Sequence, residues 1–469
     1  MRNDKVAILH FFAQVVRSVV GFATSLFAAR YLGASGLGMY SQALALLFWL
    51  KLPGGSIKSA VSKRMSETTP SDQIFSSGLT IILLYGAAVC LLIIAFKFYI
   101  NRYLGADAAV ILGILLVGNL AFDLLTAGFV GEKRVAISGW LGASEQVLRL
   151  IGQVGFVFGG YMAVGLVYGH ALSQLIFFAI GLFILRDKIA LPTRQAVNKI
   201  RTFAQYSWLG SLKSVSLGWM DLLVLGFFVS NQLVGIYQAS WALSSFLALA
   251  SGSIATTLFP ELSELGAKDH LERVQNILTT ALVYTGIFLI PGVFGAAALG
   301  SRLLQIYGPE FSTGAEILVI LICARTLYVF GGQASNAING LDYPEVAFRI
   351  NAAFIVVNSV LNVALVYYFG WYGAAVATLL SSLLYLVTSW AALQDLIERI
   401  TFPLREIAFQ FISSAIMMVV IMYAAQEVPE GHYTTVLLVL FGAGIYGIVL
   451  FTLSNQIRMK VCSLIPLMK

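Results

Sequence analysis

"GLGMYSQALALL" occupies residues 36–47, and "LVGIYQASWALS" occupies residues 233–244. Laying Gly38 on Gly235, an offset of 197 residues, brings Tyr40 onto Tyr237, Ala45 onto Ala242, Leu46 onto Leu243, Leu50 onto Leu247 and Leu52 onto Leu249. The register persists through "GSI" (Gly55–Ile57 and Gly252–Ile254) and ends on "SE" (Ser66–Glu67 and Ser263–Glu264). Eleven of thirty positions agree, where biased composition gives about one in ten by chance. A fainter echo sets "GYMAVGLVYGHALS" (Gly160–Ser173) against "GWYGAAVATLLS" (Gly370–Ser381). The chain therefore carries an apolar segment twice, and what that segment is decides the fold.

Composition settles the solvent. Over 469 residues, 59% are hydrophobic, 11% are charged, and the mean hydropathy is +0.87. Soluble domains carry about a quarter charged residues. A bilayer-spanning helix needs about 20 mostly apolar residues. Such stretches fall at 7–30, 36–58, 74–98, 107–130, 136–159, 163–186, 203–229, 234–259, 274–300, 314–338, 346–369, 371–394, 404–426 and 433–455. The expected class is an all-α polytopic membrane protein with about fourteen transmembrane helices. The opening "MRNDKVAILHFFAQ" has no small-residue cleavage site and reads as a retained first span.

The repeat then has a period of six spans, because span 2 recurs as span 8 and span 6 as span 12. An even period keeps both copies the same way up, which implies a parallel repeat about an axis along the membrane normal. The expected organisation is an N-lobe at 1–186, a cytoplasmic linker at 187–202, a C-lobe at 203–395, and two additional spans with a tail at 396–469. A cavity between two such lobes is a transporter's architecture. Basic residues sort accordingly. Lys58, Lys63, Arg64, Lys133, Arg134, Arg186, Lys188, Arg194, Lys199 and Arg201 share one side with both ends of the chain. Arg30, Lys97, Arg102 and Arg302 fall on the other. The crowded side is expected to be cytoplasmic, with both termini there. This asymmetry, not nucleic-acid binding, accounts for a pI near 9.2.

Cys90, Cys323 and Cys462 lack disulfide or metal spacing. His10, His170, His270 and His432 are scattered, and none has a catalytic partner in sequence. The informative residues are ionisable groups at membrane depth: Arg17, Arg149, Lys213 and Arg325, with Lys51 at the "KLPGG" break. Each such cation costs about 2.5–3.5 kcal/mol at the centre of an inserted helix. They are expected to face a wet interior or a partner, and an anionic head group is the ligand that suits them. Lys51 and Lys58 could instead snorkel.

Three carboxylates accompany these cations. Glu145 lies four residues before Arg149, on one helix face. Asp221 is two turns from Lys213, and Asp123 lies near the repeat position of Arg325. They are the candidates for coupling to an H⁺ or Na⁺ gradient, or for structural pairing. Gln14 shares a polar face of span 1 with Arg17. Asn351, Asn358 and Asn362 line one side of span 11, where they suit either sugar hydroxyls or interhelical bonds.

The six-plus-six-plus-two plan, "GLGMYSQA" opening span 2 and "TTLFPELSE" (Thr256–Glu264) closing span 8 resemble the polysaccharide exporter branch of the multidrug/oligosaccharidyl-lipid/polysaccharide superfamily, and within it the Wzx-type flippases. The resemblance implies a flippase that moves a polyprenyl phosphate- or diphosphate-linked oligosaccharide from the cytoplasmic to the outer leaflet by alternating access. It implies a cell membrane location, a role in surface glycans such as O-antigen, no enzymatic cofactor, and partners comprising the lipid-linked cargo, membrane lipids and other glycan-assembly proteins. A multidrug antiporter of the same superfamily is the alternative, although such carriers need an intramembrane carboxylate where span 1 offers Arg17. A glycan polymerase or ligase fits less well, because the external connections are short and hold no acid/base constellation.

Overall fold

The computed structural model describes residues 2–67, 71–248, 271–397 and 402–464. Among these residues there is no strand. The second copies of "GSI" and "SE", and "TTLFPELSE", lie outside them. Among the described residues, ten helices are long and apolar enough to cross a membrane.

The first unit, Met1–Gly235, contains α1 (Arg2–Leu50), α2 (Leu52–Glu67), α3 (Ser71–Ala95), α4 (Lys97–Leu104), α5 (Ala109–Gly131), α6 (Val135–Phe156), α7 (Val164–Ile184) and α8 (Arg194–Phe228). A straight α1 of 49 residues would be roughly 70 Å long against a hydrocarbon core of about 30 Å. It reverses instead at Gly33, whose φ of 69° is open to glycine. Before Gly33, α1 ascends α6: Arg17 meets Gly142, Gly21 meets Gln146, and Tyr31 packs edge-on against Phe158. After Gly33 it descends, so that Tyr40 reaches His170, and Phe48 stacks on Trp219 of α8. Spans 1 and 2 are thus one helical hairpin with Gly33 at its tip.

The same device closes α6 on α7. A π-turn at Val157–Tyr161 places Gly160 at φ 91°. The Gln153 amide then donates to the Leu166 carbonyl at 2.8 Å. The glycines of this hairpin let backbones touch: a Cβ on Gly169 would stand 2.3 Å from the Gln153 nitrogen. Lipid tails are as apolar as leucine, so such close packing, not hydrophobic exclusion, holds membrane helices together. At the centre of the unit lies α5, with most of its side chains buried against α2, α3 and α7.

The predicted linker is only partly a linker. Residues 189–193 run extended, sewn to the start of α3 by Ser76, which accepts from the Ala190 nitrogen at 2.8 Å, and by Ser77, which accepts from Thr193. Thr193 then caps α8 by accepting from the Ala196 nitrogen at 3.3 Å. The helix starts nine residues before predicted span 7, because Ala196 and Ile200 already bury themselves.

The opening phrase finds its meaning between α1 and α9 (residues 231–248). A Cβ on Gly38 would lie 1.8 Å from the Asn231 carbonyl oxygen, and one on Gly235 would lie 1.9 Å from the Ala34 oxygen. Ala34 and Asn231 are separated by the same 197 residues as the glycines. The contact is reciprocal, copy against copy.

The second unit, Ile236–Lys469, contains most of α9, then α10 (Leu271–Leu304), α11 (Ala315–Gly340), α12 (Pro344–Leu396), α13 (Leu404–Glu427), α14 (His432–Leu453) and α15 (Asn455–Leu464). In α12 two predicted spans again meet at a glycine, Gly370, with φ 57°. Phe354 then faces Tyr385, and Asn358 faces Ser381. Gly160 and Gly370, first in both copies of the fainter echo, each make the turn. Leu299, Met417, Ile421, Leu438, Tyr446 and Leu450 join α10, α13 and α14 in one core.

Candidate functional site

In the first unit the site begins at the break after α1. The Lys51 nitrogen still donates to the Leu47 carbonyl at 2.9 Å. Pro53 can occupy the first turn of α2, because its missing N–H would have no helical partner there. Lys51 is left in the turn and extends toward α5. Its Nζ donates to Asn119 Oδ1 at 2.7 Å and to Asp123 Oδ2 at 3.0 Å. It also lies 4.3 Å from the centre of the Phe48 ring. Lys58, two turns further on, reaches Asp123 Oδ1 at 3.3 Å. Each carboxylate oxygen therefore accepts from a different lysine, and neither lysine snorkels away.

Asp123 and Lys58 face a cavity of about 560 Å³, which Arg17 and Lys63 also line. Serine and threonine hydroxyls at Ser62, Thr126 and Ser138 complete a polar wall. The Arg17 guanidinium fits over Gly142, where a Cβ would sit 3.4 Å from its central carbon. Three cations thus share this cavity with one carboxylate. Gln14 is exposed one turn before Arg17. Lys213 is half-buried on α8, and Asp221 is buried two turns along the same helix.

Arg149 is placed differently. Its Nη2 and Nε donate to the two oxygens of Glu145 at 2.7 and 3.0 Å, and the Ser173 hydroxyl donates to Glu145 Oε1 at 2.7 Å. Glu145 is 2% exposed and His170, 3.0 Å from the Tyr40 hydroxyl, is 3% exposed. Such a bidentate pair leaves Arg149 few donors for a passenger. Arg149 is thereby engaged within α6 by a carboxylate that Ser173 of α7 also reaches. Asn358 and Asn362 are engaged likewise. Asn358 donates to the Ser381 hydroxyl at 3.0 Å, Asn362 donates to the Asn358 carbonyl at 3.1 Å, and both are fully buried. Neither offers an amide to a sugar. Asn351 is half-buried, with no hydrogen-bond partner for its Oδ1 among the described residues.

Arg325, in the second unit, donates to the Ser245 hydroxyl at 2.6 Å and lies 4.3 Å above the Trp241 ring. Counted from the starts of α5 at Ala109 and α11 at Ala315, it matches Asn119, one turn from Asp123. Asn119 escaped the sequence reading, although its place four residues before Asp123 puts the two on one face. The Tyr40–His170 contact escaped too, since 130 residues separate them and neither motif nor periodicity joins them.

The second unit also holds a groove of about 830 Å³ with almost no polar wall. Phe246, Phe288, Met417 and Tyr446 line it, and Pro291, Gly292 and Gly295 leave the facing side of α10 low. It suits an alkyl chain.

Comparison with known proteins gives a consistent result. Residues 5–266 match the family model described as "Polysaccharide biosynthesis protein". The chain is 34% identical to "Probable flippase AglR" of Haloferax volcanii over 98% of both chains. It is 28% identical to "Probable low-salt glycan biosynthesis flippase Agl15" of the same organism, over 87% of this chain and 86% of that one. Its fold matches "Lipid II flippase MurJ, inward closed conformation" with a TM-score of 0.79 at 17% identity, covering 95% of this chain and 98% of the other. A multidrug resistance MATE family transporter of the MOP superfamily, inward-facing, matches with a TM-score of 0.68 at 13% identity over 84% of this chain and all of that one.

Proposed function

This chain belongs to the polysaccharide biosynthesis protein family, and we propose that it is a flippase for a lipid-linked oligosaccharide: a transporter, not an enzyme. The observation that carries this reading is the cavity in which Arg17, Lys58 and Lys63 outnumber the single carboxylate of Asp123. A sugar head group cannot enter hydrocarbon, because its hydroxyls would go unsatisfied. Its phosphate or diphosphate link needs cations, and a guanidinium can grip it with two parallel hydrogen bonds. The cavity extends to Ser66, at the end of α2 that the distribution of basic residues assigns to the cytoplasm, where both termini lie. The polyprenyl tail stays in apolar surroundings, for which the groove of the second unit is suited. Access alternates between leaflets. The name of the Haloferax volcanii relative Agl15, a probable low-salt glycan biosynthesis flippase, points to glycan assembly as the setting.

The test is export of lipid-linked glycan in a host lacking its own flippase. Arg17→Gln at normal protein level should reduce outer-leaflet glycan at least tenfold. Undiminished export would remove the cavity from the mechanism. Drug resistance conferred without any glycan export would instead favour a multidrug carrier.

A further inference from the structure

A carrier built for an anionic passenger must also return without it. Lys51, in the break after α1, and Lys58, two turns nearer the cytoplasmic side, would then hold two positive charges with no anion between them, which a low-dielectric surrounding disfavours. We propose that Asp123 is a built-in substitute for the cargo's phosphate. It neutralises the two lysines while the carrier is empty and yields them when a lipid phosphate arrives; this rests on the flippase reading.

Four observations meet here. First, the carboxylate gives one oxygen to each lysine, at 3.0 and 3.3 Å, as two oxygens of one phosphate can. Second, the carboxylate is open to a ligand: Lys58 and Asp123 line the cavity, and their side chains are 40% and 31% exposed. Lys51, at 17%, is as covered as Arg149, at 16%, but the carboxylate that Arg149 grips, Glu145, is sealed at 3%. Third, Asn119 holds Lys51 independently at 2.7 Å, so that lysine keeps its aim when the carboxylate lets go. Fourth, the repeat offset places Ala248 and Ala255 opposite Lys51 and Lys58. The second copy has no lysines at these positions and no carboxylate on α11 where Asp123 would fall.

The arrangement sets a threshold. A passenger must outbid an internal carboxylate, which a dianionic diphosphate can do and a weakly charged lipid cannot. Asp123 is accordingly a specificity-determining residue, and its removal should change affinity and turnover in opposite directions.

The experiment uses the full-length protein in proteoliposomes with a fluorescent short-chain polyprenyl diphosphate as probe. Asp123→Asn and Asp123→Ser should each bind the probe at least tenfold more tightly than the unaltered protein. Their repeated turnover should fall at least tenfold, while a single round of translocation persists. Adding Lys58→Gln to Asp123→Asn should bring both quantities back toward the starting values. Unchanged or weaker binding by both folded variants, checked by thermal melting, would mean that Asp123 merely positions the lysines, and the proposal would be lost. Failure of the unaltered protein to bind the probe would strike the flippase reading itself, and the proposal with it.

Discussion

Two hairpins, one in each unit, share a plan and differ in their chemistry. In α6–α7 the turn is at Gly160, and in α12 it is at Gly370, each in a conformation that favours glycine. In both, the first helix carries two polar residues four apart, and the first of them bonds to a serine across the hairpin. In the first unit these are Glu145 and Arg149 with Ser173; in the second they are Asn358 and Asn362 with Ser381. The ionic version gathers Tyr40, His170 and Gln153 around it, while the amide version is built on neutral groups. One scaffold thus tolerates either fastening. What the ionic form adds is dependence, because each of its charges needs the other.

That difference can be broken directly. Glu145→Gln leaves the Arg149 guanidinium buried without its carboxylate and should destabilise the protein by about 3–5 kcal/mol. Grafting the second unit's solution onto the first, as Glu145→Asn with Arg149→Asn, removes both charges together and should recover most of that loss. Thermal unfolding in detergent, followed by intrinsic fluorescence, measures both. A double variant no better than Glu145→Gln would show that the pair fastens the helices in a way amides cannot copy.

The reciprocal glycine contact sharpens the comparison at the backbone level. Gly38→Ala and Gly235→Ala each drive a methyl group into a carbonyl oxygen, and each should cost about 1–3 kcal/mol. The two losses should be equal within error in the same melting experiment. A large inequality would mean that the reciprocity of the contact does not extend to energetics.

The effects at the serines are of similar size or smaller, and the smallest effect should come from Ser381. Ser173→Ala removes a hydrogen bond to an ionised acceptor and should cost about 1.5–3 kcal/mol, against about 0.5–1.5 kcal/mol for Ser381→Ala, whose partner is neutral. Equal losses would indicate that the charge of the acceptor adds nothing to this bond.

Much of the fold was legible because the bilayer leaves a chain few choices. Apolar runs must be helices, and glycines at 160 and 370 marked the turns. The "KLPGG" break also appeared where proline and glycine require it. The start of α8 was not legible, since Thr193 becomes a cap only when Ser76 and Ser77 hold the preceding strand of chain in place. At the site, intramembrane charge flagged Arg17, Lys51, Asp123 and the Glu145–Arg149 pair. The sequence could not say which cations were already engaged, because hydration and pairing leave the same trace in one dimension. Asn358 and Asn362 show the same ambiguity among neutral groups: an asparagine in a membrane helix is spaced alike whether it awaits a ligand or clasps a neighbouring helix.

The meeting of Gly38 and Gly235 has a historical corollary. After a gene duplication, two copies are ordinarily free to diverge, and a change in one can be relieved by a change in the other. Here each residue is part of the obstacle that forbids a side chain at its counterpart, so neither can grow to accommodate the other. The two glycines are held in both copies by a shared absence of space, and their persistence records a mutual veto.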